Sequence, residues 1–303
     1  MRDKRRRLRN GFSLVELLTC IGIITLLLGL LLPAIQRSRE TQARLACTSN
    51  LKQIGLALHN YHGDLGRLPP APAQYNRISS DPNARLSWTA LILPYVEQNA
   101  LWSKSVAALR LDMSPWHNPP HVGLATVIRL YVCPTDSRLT NALTDANGIT
   151  AAFTSYLGVS GGTSDNGVLG WPRPGIRLAD IRDGTSNTLM VGERPPPDTL
   201  QAGWWYTGAS DGSWMPRRGP DEGFPVAGVT FIPGDPCQGP FKFGPGRTDN
   251  ACDRFHFWSL HQGGANFLFA DGSCRFLPHS AERLMNALGT RAGGEIVDLS
   301  EFD

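Results

Sequence analysis

One carboxylate stands where a carboxylate is costly. Glu16 lies in "GFSLVELLTCIGIITLLLGLLL" and is the only charged residue between Phe12 and Leu32. A carboxylate at the centre of a bilayer costs about 2.5–3.5 kcal/mol on insertion scales, so it needs either an opposite charge or a route to the headgroups. The second arrangement that could do chemistry is His261 and Asp271, ten residues apart and flanking the apolar "ANFLFA". A His and an Asp can share a metal or a proton, but no third ligand or nucleophile stands at a telling distance. Asp271–Gly272 suits a tight hairpin turn, which gives the pair a structural reading: Asp271 in the turn, and His261 capping or packing beside the hairpin.

Other side chains invite weaker readings. His59 and His62 share a helix face without cysteine or carboxylate company, so they read as boundary residues. Trp204, Trp205 and Trp214 offer a sugar-stacking platform, against core and loop packing as the simpler use. Asp211, Asp221, Glu222 and Asp235 make a loop acidic enough for Ca2+, though without EF-hand spacing. No phosphate-binding glycine loop, nucleophile elbow or zinc-ligand spacing is present. The sequence therefore reads as non-enzymatic, with no catalytic residue and no assigned metal.

The elements that must position these residues follow from charge and periodicity. The leader 1–11 carries Arg2, Lys4, Arg5, Arg6, Arg7 and Arg9 against Asp3 alone. Setting it aside from the 29 basic and 26 acidic residues of the chain leaves a slight acidic excess, so no nucleic-acid partner is expected. Residues 12–32, at 1.5 Å per residue, span about 31 Å, the thickness of a bilayer core. The basic leader places the N-terminus in the cytoplasm and the rest beyond the membrane. The apolar run is followed by "LLLPAIQRSRE", without a small-residue cleavage site for a conventional secretory signal.

"GFSLVELL" resembles the type IV prepilin and pseudopilin signal: a basic leader, glycine, phenylalanine, and glutamate four residues on. The resemblance implies cleavage after Gly11 by a prepilin peptidase, N-methylation of Phe12, and Glu16 pairing with the new α-amine of a neighbouring subunit during polymerisation. Pilin helices commonly carry a kinking proline where Pro33 stands. "LACTSNLKQIGLALHNYH", "LPYVEQ", "VCPTD", "DGTSNTLMVGE" and the His261-x9-Asp271-Gly272 arrangement resemble a large bacterial family of pseudopilin-like proteins of undefined function. Cys274 departs from the apolar residue usual at its position.

The expected fold is α+β. Residues 12–32 form the membrane and fibre-core helix, and 33–63 an amphipathic stalk with the stripe Cys47, Leu51, Ile54, Leu58 and Tyr61, ended by Gly63. Residues 64–303 form a loop-rich, mainly antiparallel β head. In it, "LSWTALILPYVEQNALW" reads as a buried helix or helix–turn, "VIRLYVCPTD" and "FTSYLGVSGG" as short strands, and 207–251 as a long ordered loop. Five of the six cysteines lie beyond the membrane, where disulfides form. The expected pairs are Cys47–Cys133 and Cys237–Cys252. Connectivity is not fixed by sequence, Cys274 can replace either partner, and reduced thiols remain an alternative.

Two functions follow. The first is a structural pseudopilin subunit of a type II secretion or type IV pilus-like assembly, single-pass in the inner membrane. Its partners are the prepilin peptidase and other subunits. The alternative is a membrane-anchored extracytoplasmic binding protein or enzyme, carbohydrate-directed if the tryptophans are exposed.

Overall fold

The computed structural model describes residues 14–70, 85–162, 166–169, 175–207, 224–225, 236–295 and 297–302. The chain divides into two compact units, 1–43 and 44–303. Helix α1 runs unbroken from Leu14 to Leu65, with Pro33 inside it. In the first unit its apolar side chains are exposed throughout, from Leu14 to Leu32, and it is long and apolar enough to cross a membrane. Among the described residues, none of this stretch is buried.

In the second unit α1 becomes one-sided. Of the stripe read from the 3.6-residue period, Cys47, Leu51, Ile54 and Leu58 are fully buried, joined by Ala57, and Tyr61 is half-buried. The helix ends later than expected. Gly63 stays helical, and Gly66, at φ +69°, turns the chain while its amide donates to the His62 carbonyl at 2.7 Å. Gly66 is the residue that can adopt the left-handed conformation just before Leu68 enters the core.

The head is built on a five-stranded sheet. Its strands are β3 (Tyr156–Gly161), β4 (Leu189–Glu193), β5 (Phe224–Pro225), β6 (Gly264–Phe269) and β7 (Cys274–Pro278), in the order β5-β3-β4-β6-β7. β3–β4, β4–β6 and β6–β7 pair antiparallel, and β5 adds to β3 in parallel. A separate two-stranded hairpin joins β1 (Leu143–Thr144) to β2 (Thr150–Ala151). This is the α+β architecture expected.

β6 shows how the period-2 pattern divides two cores. Leu268 and Ala270 belong to the cluster that contains Leu51, Ile54 and Leu58 of α1. Ala265, Phe267 and Phe269 belong to the opposite cluster, with Phe257 and with Met285 and Leu288 of α4 (Met285–Gly289). Gly55 lets α1 approach closely: a Cβ there would lie 2.8 Å from Leu268 Cδ1.

"LSWTALILPYVEQNALW" folds as α2 (Trp88–Leu91), a 3-10 turn at Leu93–Val96, and α3 (Asn99–Leu111). Trp88, Leu91 and Leu93 are buried and Tyr95 is half-buried. "VIRLYVCPTD" is not a strand. Arg129–Tyr131 is a 3-10 turn whose backbone finds partners outside any ladder. The Tyr131 carbonyl accepts from Ser155 N and Thr154 Oγ1, and Cys133 N donates to Ser155 Oγ. Once hydroxyls and a loop satisfy these groups, strand pairing is not required. Of 207–251, only Thr207, 224–225 and 236–251 lie within the described residues.

Candidate functional site

The residues singled out by sequence fall into three places. Gly11 and Phe12 lie outside the described residues. Glu16 sits in the first turn of α1, exposed like its apolar neighbours, with its backbone carbonyl accepting from Thr19 Oγ1 at 2.9 Å. Cys20 is a free, exposed cysteine on the same stretch.

The second place is the β6–β7 hairpin. Asp271 does what the turn requires: Oδ1 accepts from Ser273 N at 2.8 Å, and Asp271 N donates to the Thr185 carbonyl. Gly272 takes φ +86°, a conformation that a Cβ would strain. The turn lies over α1, since a Cβ on Gly272 would meet His59 Nε2 at 3.7 Å. His62 accepts from Leu178 N at 3.2 Å, which makes it a boundary residue, as expected.

The third place surrounds His261, which precedes β6 at the end of the hairpin away from its turn. Its ring is buried against the Cys47–Cys133 disulfide and Glu193. His261 Nε2 lies 3.5 Å from Cys133 Sγ and 3.5 Å from Glu193 Oε1. One donor atom from each of Cys47, Cys133, Glu193 and His261 lies within 4.8 Å of all the others, and all four residues are buried.

Each member is held by a different element. Cys47 is on the buried stripe of α1, and Cys133 is in the loop whose amide Ser155 anchors. Glu193 closes β4, where its carboxylate accepts from Asn266 N at 2.6 Å and from Asn266 Nδ2 at 3.0 Å. Thr48 Oγ1 donates to Asn266 Oδ1 at 3.1 Å, so α1 also fixes the asparagine that fixes the glutamate. His261 is set by a tight turn in which its amide donates to Ser259 Oγ and Ser259 Oγ donates to the Gly264 carbonyl. Asn50 extends the network, donating to the Val132 carbonyl and to Tyr156 Oη.

The electrostatics fit a dry site. Burial, with the Glu193 charge adding, holds the Tyr156 hydroxyl well above the usual phenol range. Burial also pushes the Cys274 thiol up to about 12; Lys52 opposes this, and Asp271 and Glu193 add to it. Cys274 thus stays a neutral thiol, and the disulfides are Cys47–Cys133 and Cys237–Cys252.

Sequence reasoning missed Glu193, Asn266 and Asn50. Glu193 carried one signal, a carboxylate ending the otherwise apolar strand "LMVGE". Trp204 and Trp205 follow the packing reading and not the platform: both are buried, and Trp204 packs edge-on to Trp116 at 5.0 Å. Trp205 Nε1 donates to the Thr126 carbonyl. Trp214, Asp211, Asp221, Glu222 and Asp235 lie outside the described residues.

These features define an α+β protein with a membrane-length N-terminal helix and a disulfide-tied head. Residues 36–284 match the family SBP_bac_10, described as "Protein of unknown function (DUF1559)", and the chain belongs to that family. No curated protein and no solved structure gives a significant match.

Proposed function

We propose that this chain is a pseudopilin-like structural subunit, processed after Gly11 and built into a type II secretion or type IV pilus-like fibre through its N-terminal helix. The observation that carries this reading is the stretch Leu14–Leu32, whose apolar side chains are exposed along one continuous helix in which Glu16 is the only charged residue. Such a surface needs a bilayer or other copies of the same helix. The chemistry for exchanging one for the other is specific. Cleavage would leave a cationic α-amine at Phe12, and Glu16 of an adjoining copy would neutralise it. Each charge is costly alone in the apolar medium and tolerable as a pair, which favours assembly and sets register.

In this reading the basic leader stays cytoplasmic, the helix crosses the inner membrane, and the head lies in the periplasm or outside. The disulfides accord with such a compartment. The partners are a prepilin peptidase and other subunits, and the protein works without catalysis. The carbohydrate-directed alternative loses part of its motive, because Trp204 and Trp205 are spent on the core.

The test is co-expression with a prepilin peptidase and mass measurement of the mature chain. The expected product begins at N-methylated Phe12. A chain that keeps residues 1–11 refutes the processing. Glu16→Gln should then insert as well as wild type and lose fibre assembly at least tenfold; fibres at the wild-type level refute the pairing.

A further inference from the structure

The buried group around His261 contains more than a crosslink needs. A disulfide between Cys47 and Cys133 requires two sulfurs. It does not require a histidine 3.5 Å from one of them, nor a carboxylate 3.5 Å from that histidine and held by three hydrogen bonds from Asn266. Glu193 and His261 are polar groups almost wholly removed from water, a placement that is costly unless they are paired and hydrogen-bonded.

Their separations match one task. A tetrahedral zinc with Zn–S near 2.3 Å and Zn–N or Zn–O near 2.0–2.1 Å places neighbouring N and S donors about 3.5 Å apart, and N and O donors about 3.4 Å apart. The His261–Cys133 and His261–Glu193 distances are both 3.5 Å. Two thiolates, one imidazole and one carboxylate form a donor set that suits Zn2+ or Co2+. The carboxylate is oriented by Asn266, which Thr48 orients in turn, so the surrounding support a metal site needs is in place.

The geometry points to a second state of this site: with Cys47 and Cys133 reduced, they join Glu193 and His261 in holding one divalent transition-metal ion, and metal and disulfide exclude each other. A dithiol reductant gives two electrons and two protons to the Cys47–Cys133 bond and itself becomes a disulfide. The two thiols then release their protons to solvent as two metal–sulfur bonds form. The sulfurs must separate to about 3.8 Å, while His261 and Glu193 already stand 3.5 Å apart. The Cα–Cα distance of 5.4 Å leaves side-chain rotation to supply that movement. Because all four residues are buried, loading belongs to folding of the reduced chain rather than to the closed protein. Either state ties α1 to the loop at Cys133, so the head keeps its clamp under oxidising and reducing conditions. This inference is independent of the fibre reading.

The test uses the full chain in detergent, with Cys237→Ser/Cys252→Ser removing the other reducible pair. The protein is reduced with a phosphine in denaturant and refolded by dilution with Co2+ or Zn2+. The expected result is one cobalt per chain with an intense thiolate-to-metal charge-transfer band, and none in the oxidised chain. His261→Ala and Glu193→Gln should weaken binding at least tenfold, and Cys47→Ser/Cys133→Ser should abolish the band. Should a variant fail to refold, X-ray absorption of the zinc-loaded parent decides: two sulfurs near 2.3 Å and two lighter ligands near 2.0–2.1 Å support the site. No stoichiometric metal, a band that survives in Cys47→Ser/Cys133→Ser, unchanged affinity in His261→Ala, or any other sulfur count overturns it.

Discussion

Replacing Cys47 and Cys133 together by alanine should be the most damaging loss of a crosslink in this chain. The bond joins residues 86 apart, whereas Cys237 and Cys252 are 15 apart. In the chain-entropy account, a crosslink removes freedom from the unfolded ensemble as the logarithm of the loop it closes. The long loop then contributes about 4.6 kcal/mol and the short one about 3 kcal/mol. A domain has only about 5–15 kcal/mol of net stability, so the first change consumes a large share of it. Native contacts point the same way. The long bridge ties α1 to the loop before β3, and Asn50 reinforces it by donating to the Val132 carbonyl. The short bridge fastens a local segment beside Phe243 and Phe255. The assay is urea unfolding of the full chain in detergent without reductant, followed by tryptophan fluorescence, since Trp88, Trp204, Trp205 and Trp258 are all buried reporters. The expected order is wild type, then Cys237→Ala/Cys252→Ala, then Cys47→Ala/Cys133→Ala, with the last two separated by about 1.5 kcal/mol. Equal losses, or a loss below about 1 kcal/mol for the long bridge, would refute the loop-closure argument.

Acid should weaken the head through His121. Its Nε2–H donates to the Asp112 carbonyl at 2.7 Å, which leaves Nδ1 to accept from Tyr206 Oη at 3.0 Å, and burial lowers its pKa below 6.5. The unfolded chain therefore takes up this proton first. Stability is full above about pH 6.5 and falls as pH drops through the folded pKa, by at most about 1.4 kcal/mol per pH unit. The thermal midpoint should drop between pH 7 and 5, and His121→Gln should flatten the drop. Gly192→Ala pushes a methyl to 2.4 Å from Phe267 and 2.6 Å from Phe257, and should cost about 1–3 kcal/mol in urea unfolding. Gly63→Ala meets nothing within 4 Å and should instead stabilise α1 by about 0.5–1 kcal/mol. Cys274, whose thiol burial raises from 9.0 to about 12, should react with iodoacetamide at pH 9 at least about tenfold more slowly than an unperturbed thiol, as read by peptide mass spectrometry.

Local periodicity was legible wherever one element decided the outcome. The α1 stripe, the alternation in "ANFLFA" and the Asp271–Gly272 turn all depend on neighbours in sequence, and all three form. "VIRLYVCPTD" misled because its apolar residues satisfy their backbone through Ser155 and Thr154, which arrive from another part of the chain. The His261 site was invisible for the same reason. Its donors come from α1, a loop, the end of β4 and a turn, spread from residue 47 to residue 261, with no recurring interval among them. Helix termination was misjudged by one glycine, because Gly63 and Gly66 look alike until the path to Leu68 is known.

The ten-residue step from His261 to Asp271 then has a physical meaning. Between them runs β6, and β6 lies along α1: Thr48 reaches Asn266, Gly55 faces Leu268, and His59 lies beneath Gly272. From Thr48 to His59 the helix advances about 16 Å, and over this length it meets first β6 and then the turn that follows Phe269. At the start of β6, His261 meets the bond that joins α1 to Cys133; at its end, the Asp-Gly turn closes over the last buried turns of the helix. Shifting β6 by one residue would turn Phe267 and Phe269 toward α1 and Leu268 away from it, so both cores would lose their fit together. The motif thus fixes register at both ends of one strand, and the buried chemistry at its first residue sits where that strand, the helix and the crosslink meet.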